Sequence, residues 1–256
     1  MKILHSLILG QGERHLVILH GFLGMGDNWK THAKRWETQG WCVHLVDQRN
    51  HGRSFWSTAF EYSLLAEDLK AYLDHHKITN CTLLGHSMGG KTSMFFATQY
   101  PDYVNQLIVA DIAPKTYVSH HQQILNGLSS LDFSILQSRG AVDEVLSKYV
   151  PEVGVRQFLL KNLYWVEKGV LGLRVNIEVL KNVGSAIGEG LDSQFQFSGP
   201  TLFLRGLMSG YIADEDHLVL QHHFPRYTLK DIEKAGHWLH AENPKAFLEA
   251  IETWWE

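Results

Sequence analysis

The chain has 256 residues, 45% of them hydrophobic and 20% charged, a balance that fits one large folded domain or a domain carrying an insertion and excludes disorder. A formal net charge of -4 and a pI near 6.5 argue against nucleic acid or an anionic membrane surface as the main partner. Cys42 and Cys81, the two cysteines, lie in apolar runs and read as small buried hydrophobes rather than a disulfide or a metal pair, which fits a reducing compartment.

In chain order, residues 1–5 lack the apolar core of a signal peptide, and no stretch reaches the length of a membrane span, so the cytoplasm is the expected location. Residues 3–9 and 16–20 read as strands joined by the turn Gly10-Gln11-Gly12-Glu13, a hairpin-like entry to a sheet. Residues 29–39 have helical spacing and stop at Gly40, and Trp41–Val46 is a short apolar strand. Residues 61–76 make an amphipathic helix with Leu64, Leu65, Leu69, Tyr72 and Leu73 along one face. The apolar run 81–85 has the character of a buried parallel strand, and the helix at 91–100 ends at Pro101, which cannot continue it. Residues 107–110 form another strand, ending at Asp111. Residues 201–204 and Tyr227–Ile232 are later strands, each followed by a helix. Alternation of this kind predicts an α/β chain with a mostly parallel central sheet and helices on both faces.

Between Pro114 and Gly199 the alternation breaks. Residues 125–136, 141–149 and 155–164 read as helices, so 114–199 is expected to be a helical cap on a core made of 1–113 and 200–256. An insertion after the strand ending at Asp111 sits at the carboxyl ends of the strands, where open α/β sheets bind ligands.

Four stretches carry chemistry. Gly85-His86-Ser87-Met88-Gly89 is a G-x-S-x-G between a strand and a helix, a tight turn that lifts the Ser87 hydroxyl above the sheet at a helix N-terminus; the alternative is that Ser87 only caps the helix. His20-Gly21-Phe22-Leu23-Gly24-Met25-Gly26 follows a strand, and the Phe22 amide is a candidate to join that of Met88 in holding an oxyanion. This loop is neither a dinucleotide loop, since Trp29 stands where a glycine is needed, nor a phosphate loop, since it lacks G-K-[S/T]. Asp47-Gln48-Arg49-Asn50-His51-Gly52-Arg53-Ser54 reads as a hydrogen-bonded brace, with Asp47 and Arg49 paired to backbone. In Ala235-Gly236-His237-Trp238, after the last strand, His237 is the candidate base that a serine hydroxyl needs near neutral pH. Among 16 histidines, the pairs at 75 and 76, 120 and 121, and 222 and 223 read as solvated helix ends or loops rather than metal ligands.

With Asp111-Ile112-Ala113-Pro114, these motifs fall in the order found in the α/β-hydrolase superfamily. Within it the chain resembles the small esterases and thioesterases of the YbfF and ABHD11-like group, over almost its whole length. The resemblance implies a serine nucleophile, a histidine base, an orienting carboxylate, a backbone oxyanion hole and hydrolysis of small-molecule esters or acyl thioesters such as acyl-CoA, with no cofactor or metal. One departure stands out: many members carry the acid in a G-x-x-D after the strand at 201–204, whereas Gly206-Leu207-Met208-Ser209 ends in serine. Asp111 is the expected acid and Asp214 the runner-up, the latter explained equally by the acidic first turn of a helix. The pocket is expected to draw on His20, Leu23, His86 and Trp238, roofed by Phe158, Leu159 and Tyr164. The competing functions are a C–C bond hydrolase or lyase on the same triad, or a binding protein that keeps the scaffold without turnover.

Overall fold

The computed structural model describes residues 2–118 and 121–255. Its strands are β1 (Ser6–Leu9), β2 (Arg14–Leu19), β3 (Trp41–Val46), β4 (Cys81–His86), β5 (Val104–Ala110), β6 (Leu163–Glu167), β7 (Val170–Leu173), β8 (Thr201–Gly206) and β9 (Tyr227–Ile232). Its helices are α1 (Lys30–Thr38), α2 (Tyr62–His75), α3 (Met88–Gln99), α4 (Gln122–Ser129), α5 (Arg139–Ser147), α6 (Val153–Leu160), α7 (Ile177–Leu180), α8 (His217–His223), α9 (Leu239–Glu242) and α10 (Pro244–Trp255).

Seven strands form one sheet in the order β1-β3-β2-β4-β5-β8-β9, parallel throughout except for β1 against β3. The central strands are apolar on both faces because both faces are covered. Along β2, Val17 and Leu19 face the core formed with α2 and α3, while Leu16 and Ile18 face the core formed with α1 and α10. Helix α3 is buried nearly all round, with Met94, Phe96 and Ala97 fully enclosed, as expected of a helix that carries a site in the middle of a sheet. Met94 and Phe96 each contribute about 1.5–3 kcal/mol of transfer free energy.

The hairpin-like entry is not formed. β3 lies between β1 and β2, so the 10–13 link crosses over the start of β3 instead of turning back on itself. Its glycines serve that crossing: a Cβ on Gly10 or Gly12 would lie 2.2 Å from Trp41 O or 1.9 Å from Gly40 O. The stretch 114–199 is not all helical either. After α4, α5 and α6 it contains the antiparallel hairpin β6–β7, turned at Gly169 with φ +86°, so the expected helix at 155–164 ends early and Tyr164 sits on a strand. Aromatic and β-branched residues at 163–166 followed by Lys-Gly are a strand-and-turn signal, which the apolar spacing of α6 obscured.

Among the described residues, no helix is long and apolar enough to cross a membrane. Cys42 and Cys81 are buried and unbridged. Of the histidine pairs, His75 is exposed and His223 is buried, its Nδ1 2.7 Å from Phe195 O. His120 lies outside the described residues, and His121 borders the cavities described below.

Candidate active site

Ser87 follows β4 and precedes α3 with φ 53° and ψ -116°, a strained backbone for a residue with a side chain, of the kind that persists only where its surroundings over-determine it. The turn is tight because its glycines touch backbone: a Cβ on Gly85 would lie 2.2 Å from Gly89 O, and one on Gly89 2.2 Å from Leu19 O. Ser87 N donates to Ala110 O at 3.0 Å, fastening the elbow to the end of β5.

Around the hydroxyl three side chains form a relay. Ser87 Oγ lies 3.0 Å from His237 Nε2, and His237 Nδ1 lies 2.8 Å from Asp111 Oδ2. Asp111 is fully buried with φ 51°, and its other oxygen accepts from Gly206 N at 3.0 Å. Ser209 Oγ also donates to Asp111 Oδ2. The serine that stands where the G-x-x-D pattern has its acid therefore points at the carboxylate that follows β5. The His237 ring stacks on Tyr211, with centroids 3.9 Å apart at 17°, and His86 Nε2 donates to His237 O at 2.8 Å. Asp214 stands elsewhere: its side chain is 88% exposed and pairs with Arg205 Nη1 at 2.6 Å, and that guanidinium holds its carboxyl below the usual range. The helix-capping role goes to Asp216, which accepts from Ala213 N at 2.8 Å.

The loop after β2 faces the relay. Among the described residues, neither the Phe22 nor the Met88 amide meets an acceptor, although both residues are buried; buried amides left open need a reason. The loop is held from behind by two histidines. His51 Nε2 accepts from Leu23 N at 3.2 Å and His20 Nε2 accepts from Gln48 N at 3.0 Å. Asp47 braces as expected, accepting from Gly26 N at 2.7 Å and Arg53 N at 2.8 Å. Arg49 meets backbone as expected, donating to Ala59 O at 3.1 Å and Leu64 O at 3.3 Å, and adds a two-point pair with Asp68 on α2, at 2.5 and 2.9 Å.

Three spaces border the relay. An inner cavity of about 20 Å³ is bounded by Phe22, Ser87, Met88, Lys91, Ile112 and Tyr211, among others. A second, of about 50 Å³, is bounded by Leu23, His86, Ser87, Phe158, Leu159 and Trp238, among others. A mouth of about 480 Å³ runs between Ile124, Tyr149, Val155, His237 and Trp238. The expected wall residues Leu23, His86, Phe158, Leu159 and Trp238 thus come together, while His20 and Tyr164 do not join them. His20 is turned into the brace, and Tyr164 lies under Arg174, whose guanidinium carbon is 4.3 Å from its ring centre. His121 borders all three spaces.

The family described as "alpha/beta hydrolase fold" matches residues 14–137, and "sn-1-specific diacylglycerol lipase ABHD11" of Mus musculus is 36% identical over 245 residues, 93% of this chain and 80% of its own. The chain belongs to the α/β-hydrolase family. "Esterase YbfF" of Escherichia coli is 34% identical over 93% of this chain and 92% of its own. The solved structure of a "Marine microorganism esterase" superposes with a TM-score of 0.94 at 37% identity, covering 99% of both chains.

In this α/β-hydrolase four neighbours of the relay were not singled out from the sequence: Ser209 as a donor to Asp111, Tyr211 stacked on His237, His121 at the cavities, and Lys91. The Lys91 ammonium, one helical turn after Ser87, donates to Lys115 O and, at 2.6 Å, to Glu189 O. It thereby ties both ends of the 114–199 insertion to the nucleophile helix. Burial pulls its pKa down to about 7, with Glu189 acting against the shift. A Lys four residues after the serine of G-x-S-x-G is a readable signal, since i and i+4 share a helix face.

Proposed function

We propose that this chain hydrolyses carboxylic esters or acyl thioesters of short acyl groups through an acyl-enzyme on Ser87, with His237 as base and Asp111 as the acid that orients it. The observation that carries the reading is the continuous relay from Ser87 Oγ through the two nitrogens of His237 to Asp111. Ser87 Oγ attacks the carbonyl carbon and passes its proton to Nε2, while the carbonyl oxygen takes the negative charge between the Phe22 and Met88 amides. The same proton then goes to the departing alcohol or thiol, leaving the acyl group on Ser87. Water repeats the cycle: its proton goes to Nε2, its oxygen to the acyl carbon, and Ser87 leaves with the proton back on Oγ. Asp111, accepting from Nδ1, stabilises the imidazolium in both halves. The names of the relatives, esterase and diacylglycerol lipase, support ester hydrolysis.

Cavity size supports the short acyl group. A site for one water needs about 10–15 Å³ of such volume, so spaces of about 20 and 50 Å³ beside Ser87 hold a few heavy atoms on either side of the reacting carbon. The insertion 114–199, supplying Phe158 and Leu159, is in this reading a cap over the site. A cytoplasmic location belongs to the same reading, since both cysteines are unbridged.

The test is fluorophosphonate labelling together with turnover of p-nitrophenyl esters of graded length. Wild type is expected to label and to hydrolyse acetate and butyrate faster than octanoate. Ser87→Ala should neither label nor turn over, and His237→Ala should lose roughly three to six orders of magnitude. An unlabelled, inactive wild type would leave a binding protein as the answer.

A further inference from the structure

At the other end of the sheet, three side chains that the relay does not use converge. His15 lies at the start of β2, and Cys42 and His44 lie on the adjacent parallel β3, where His15 is in register with Cys42 and Val17 with His44. All three point to the α2 side of the sheet. His15 Nδ1 lies 3.1 Å from His44 Nε2, Cys42 Sγ lies 3.4 Å from the same nitrogen, and all three atoms fall within 4.8 Å of one another. Cys42 and His44 are buried and His15 is half-buried.

From this convergence we infer a binding site for a thiophilic late transition-metal ion of the zinc class, held by His15 Nδ1, Cys42 Sγ and His44 Nε2. Three arguments support it. The first is spacing: metal–nitrogen bonds of about 2.0–2.1 Å and metal–sulfur bonds of about 2.3 Å at tetrahedral angles put N and N about 3.3 Å apart and N and S about 3.6 Å apart, close to the 3.1 Å between the two imidazole nitrogens and the 3.4 Å from Cys42 Sγ to His44 Nε2; His15 Nδ1 and Cys42 Sγ, within 4.8 Å of each other, close in as the ion binds.

The second is the tautomer. Tyr72 on α2 donates its hydroxyl proton to Ser6 Oγ at 2.8 Å and lies 2.8 Å from His44 Nδ1. The phenol oxygen is therefore left to accept from Nδ1–H, which leaves the Nε2 lone pair aimed at the cluster. This outer hydrogen bond is what orients metal-binding imidazoles.

The third is that hydrogen bonding alone does not use the arrangement. His44 Nε2 has one lone pair and accepts one proton, whereas two potential donors, the Cys42 thiol and His15 Nδ1, crowd it. A metal ion uses all three lone pairs, with the thiol giving up its proton to solvent as it binds. Three protein ligands leave one tetrahedral position for water, and His15 borders a cleft of about 730 Å³ through which an ion has access. Residue 15 is four residues from the carboxyl end of β2 that leads into the loop before the relay, roughly 13 Å along the strand, so the ion takes no part in turnover. It pins β2 to β3 and, through Tyr72, to α2.

The test is titration of the chelator-treated full chain with Co²⁺, a spectroscopic substitute for zinc, followed by competition with Zn²⁺. One ion per chain is expected, with a thiolate-to-cobalt charge-transfer band that Zn²⁺ abolishes, a raised Tm in Zn²⁺ and unchanged ester turnover. Cys42→Ala should remove the band. Tyr72→Phe, which keeps the ligands and the ring, should weaken Co²⁺ binding about 10–100-fold, and it carries the test if Cys42→Ala fails to fold. The inference is overturned if wild type shows no charge-transfer band, if binding occurs through surface histidines with no sulfur signal, or if the band survives Cys42→Ala.

Discussion

Acid should unfold this protein through its buried histidines, and the structure fixes both the sign and the size of the effect. His20 accepts from Gln48 N at Nε2 while its Nδ1 lies 2.8 Å from Gly21 O. His51 accepts from Leu23 N at Nε2 while its Nδ1 lies 2.9 Å from Arg49 O. Each ring is therefore held as a neutral Nδ1–H tautomer, and a second proton would set N–H against N–H. Burial accordingly lowers His20 to about 4 and His51 to about 3; His86 falls to about 3 by burial and the neighbouring His237, and His240 is also lowered well below the usual value by burial.

In the unfolded chain all four titrate near 6.5, so below that pH the unfolded state binds protons that the folded state refuses. Stability is then fully present above pH 6.5 and falls as the pH drops toward the folded values. At about pH 5.5 each group costs about 1.4 kcal/mol relative to pH 7.5, and four together cost about 5 kcal/mol, comparable with the whole stability of many domains. Urea unfolding at about pH 7.5, 6.5 and 5.5, followed by far-ultraviolet circular dichroism, measures this directly. His51→Gln, which keeps an acceptor for Leu23 N without titrating, should remove one such contribution, about 1.4 kcal/mol between about pH 7.5 and about pH 5.5. An uptake of fewer than one proton on unfolding between pH 6 and 5 would refute the reasoning.

Asp111→Asn should lower turnover by up to about ten-thousand-fold with the fold retained, whereas Asp214→Asn, on an exposed pair with Arg205, should change it less than about twofold; steady-state kinetics of the two variants, with circular dichroism, separate them. Phe158→Ala should shift the acyl-length optimum upward by enlarging the cavity it borders. Each added methylene that the enlarged space accepts should be worth about 0.8 kcal/mol, roughly fourfold in kcat/KM; an unchanged chain-length profile would mean that Phe158 serves the insertion's own packing.

The parallel strands were legible because burial on both faces writes them as unbroken apolar runs. Trp41–Val46 and Tyr227–Ile232 match their observed bounds. The hairpin β6–β7 was not, because residues 155–160 set a helical period that the eye extends past Asn162. Ser87 and Asp111 could be picked out because each directly follows a strand of a parallel sheet, and His237 because it lies on the loop after the last strand, so topology delivers all three to one edge. Ser209 and Tyr211 could not, because their placement depends on the path of the loop after β8, which carries no periodic signal. The pairing of Arg49 with Asp68 was not legible for a related reason: a charge on an amphipathic helix reads as solvated until the loop that covers it is known.

The position of Asp111 follows from register, and this gives a further prediction. β4 pairs with β5 so that His86 stands opposite Ala110, and β5 pairs with β8 so that Ala110 stands opposite Leu204. The residues just beyond, Ser87 and Asp111, therefore leave neighbouring strands at the same level, and the loop after β8 passes one strand farther out. His237 reaches Asp111 from the far side, and Ser209 approaches the same carboxylate oxygen from the β8 loop. A carboxylate at position 209 thus starts beside the oxygen that His237 Nδ1 meets. Asp111→Asn combined with Ser209→Asp should recover about one to two orders of magnitude of the turnover lost in Asp111→Asn alone, because the orienting charge is restored while its geometry is only approximate. Ser209→Asp in the wild-type background should instead slow the enzyme, since two carboxylates in contact cannot both stay ionised. If the double variant is no faster than Asp111→Asn, the β8 loop does not present residue 209 to the imidazole, and the serine there serves Asp111 alone.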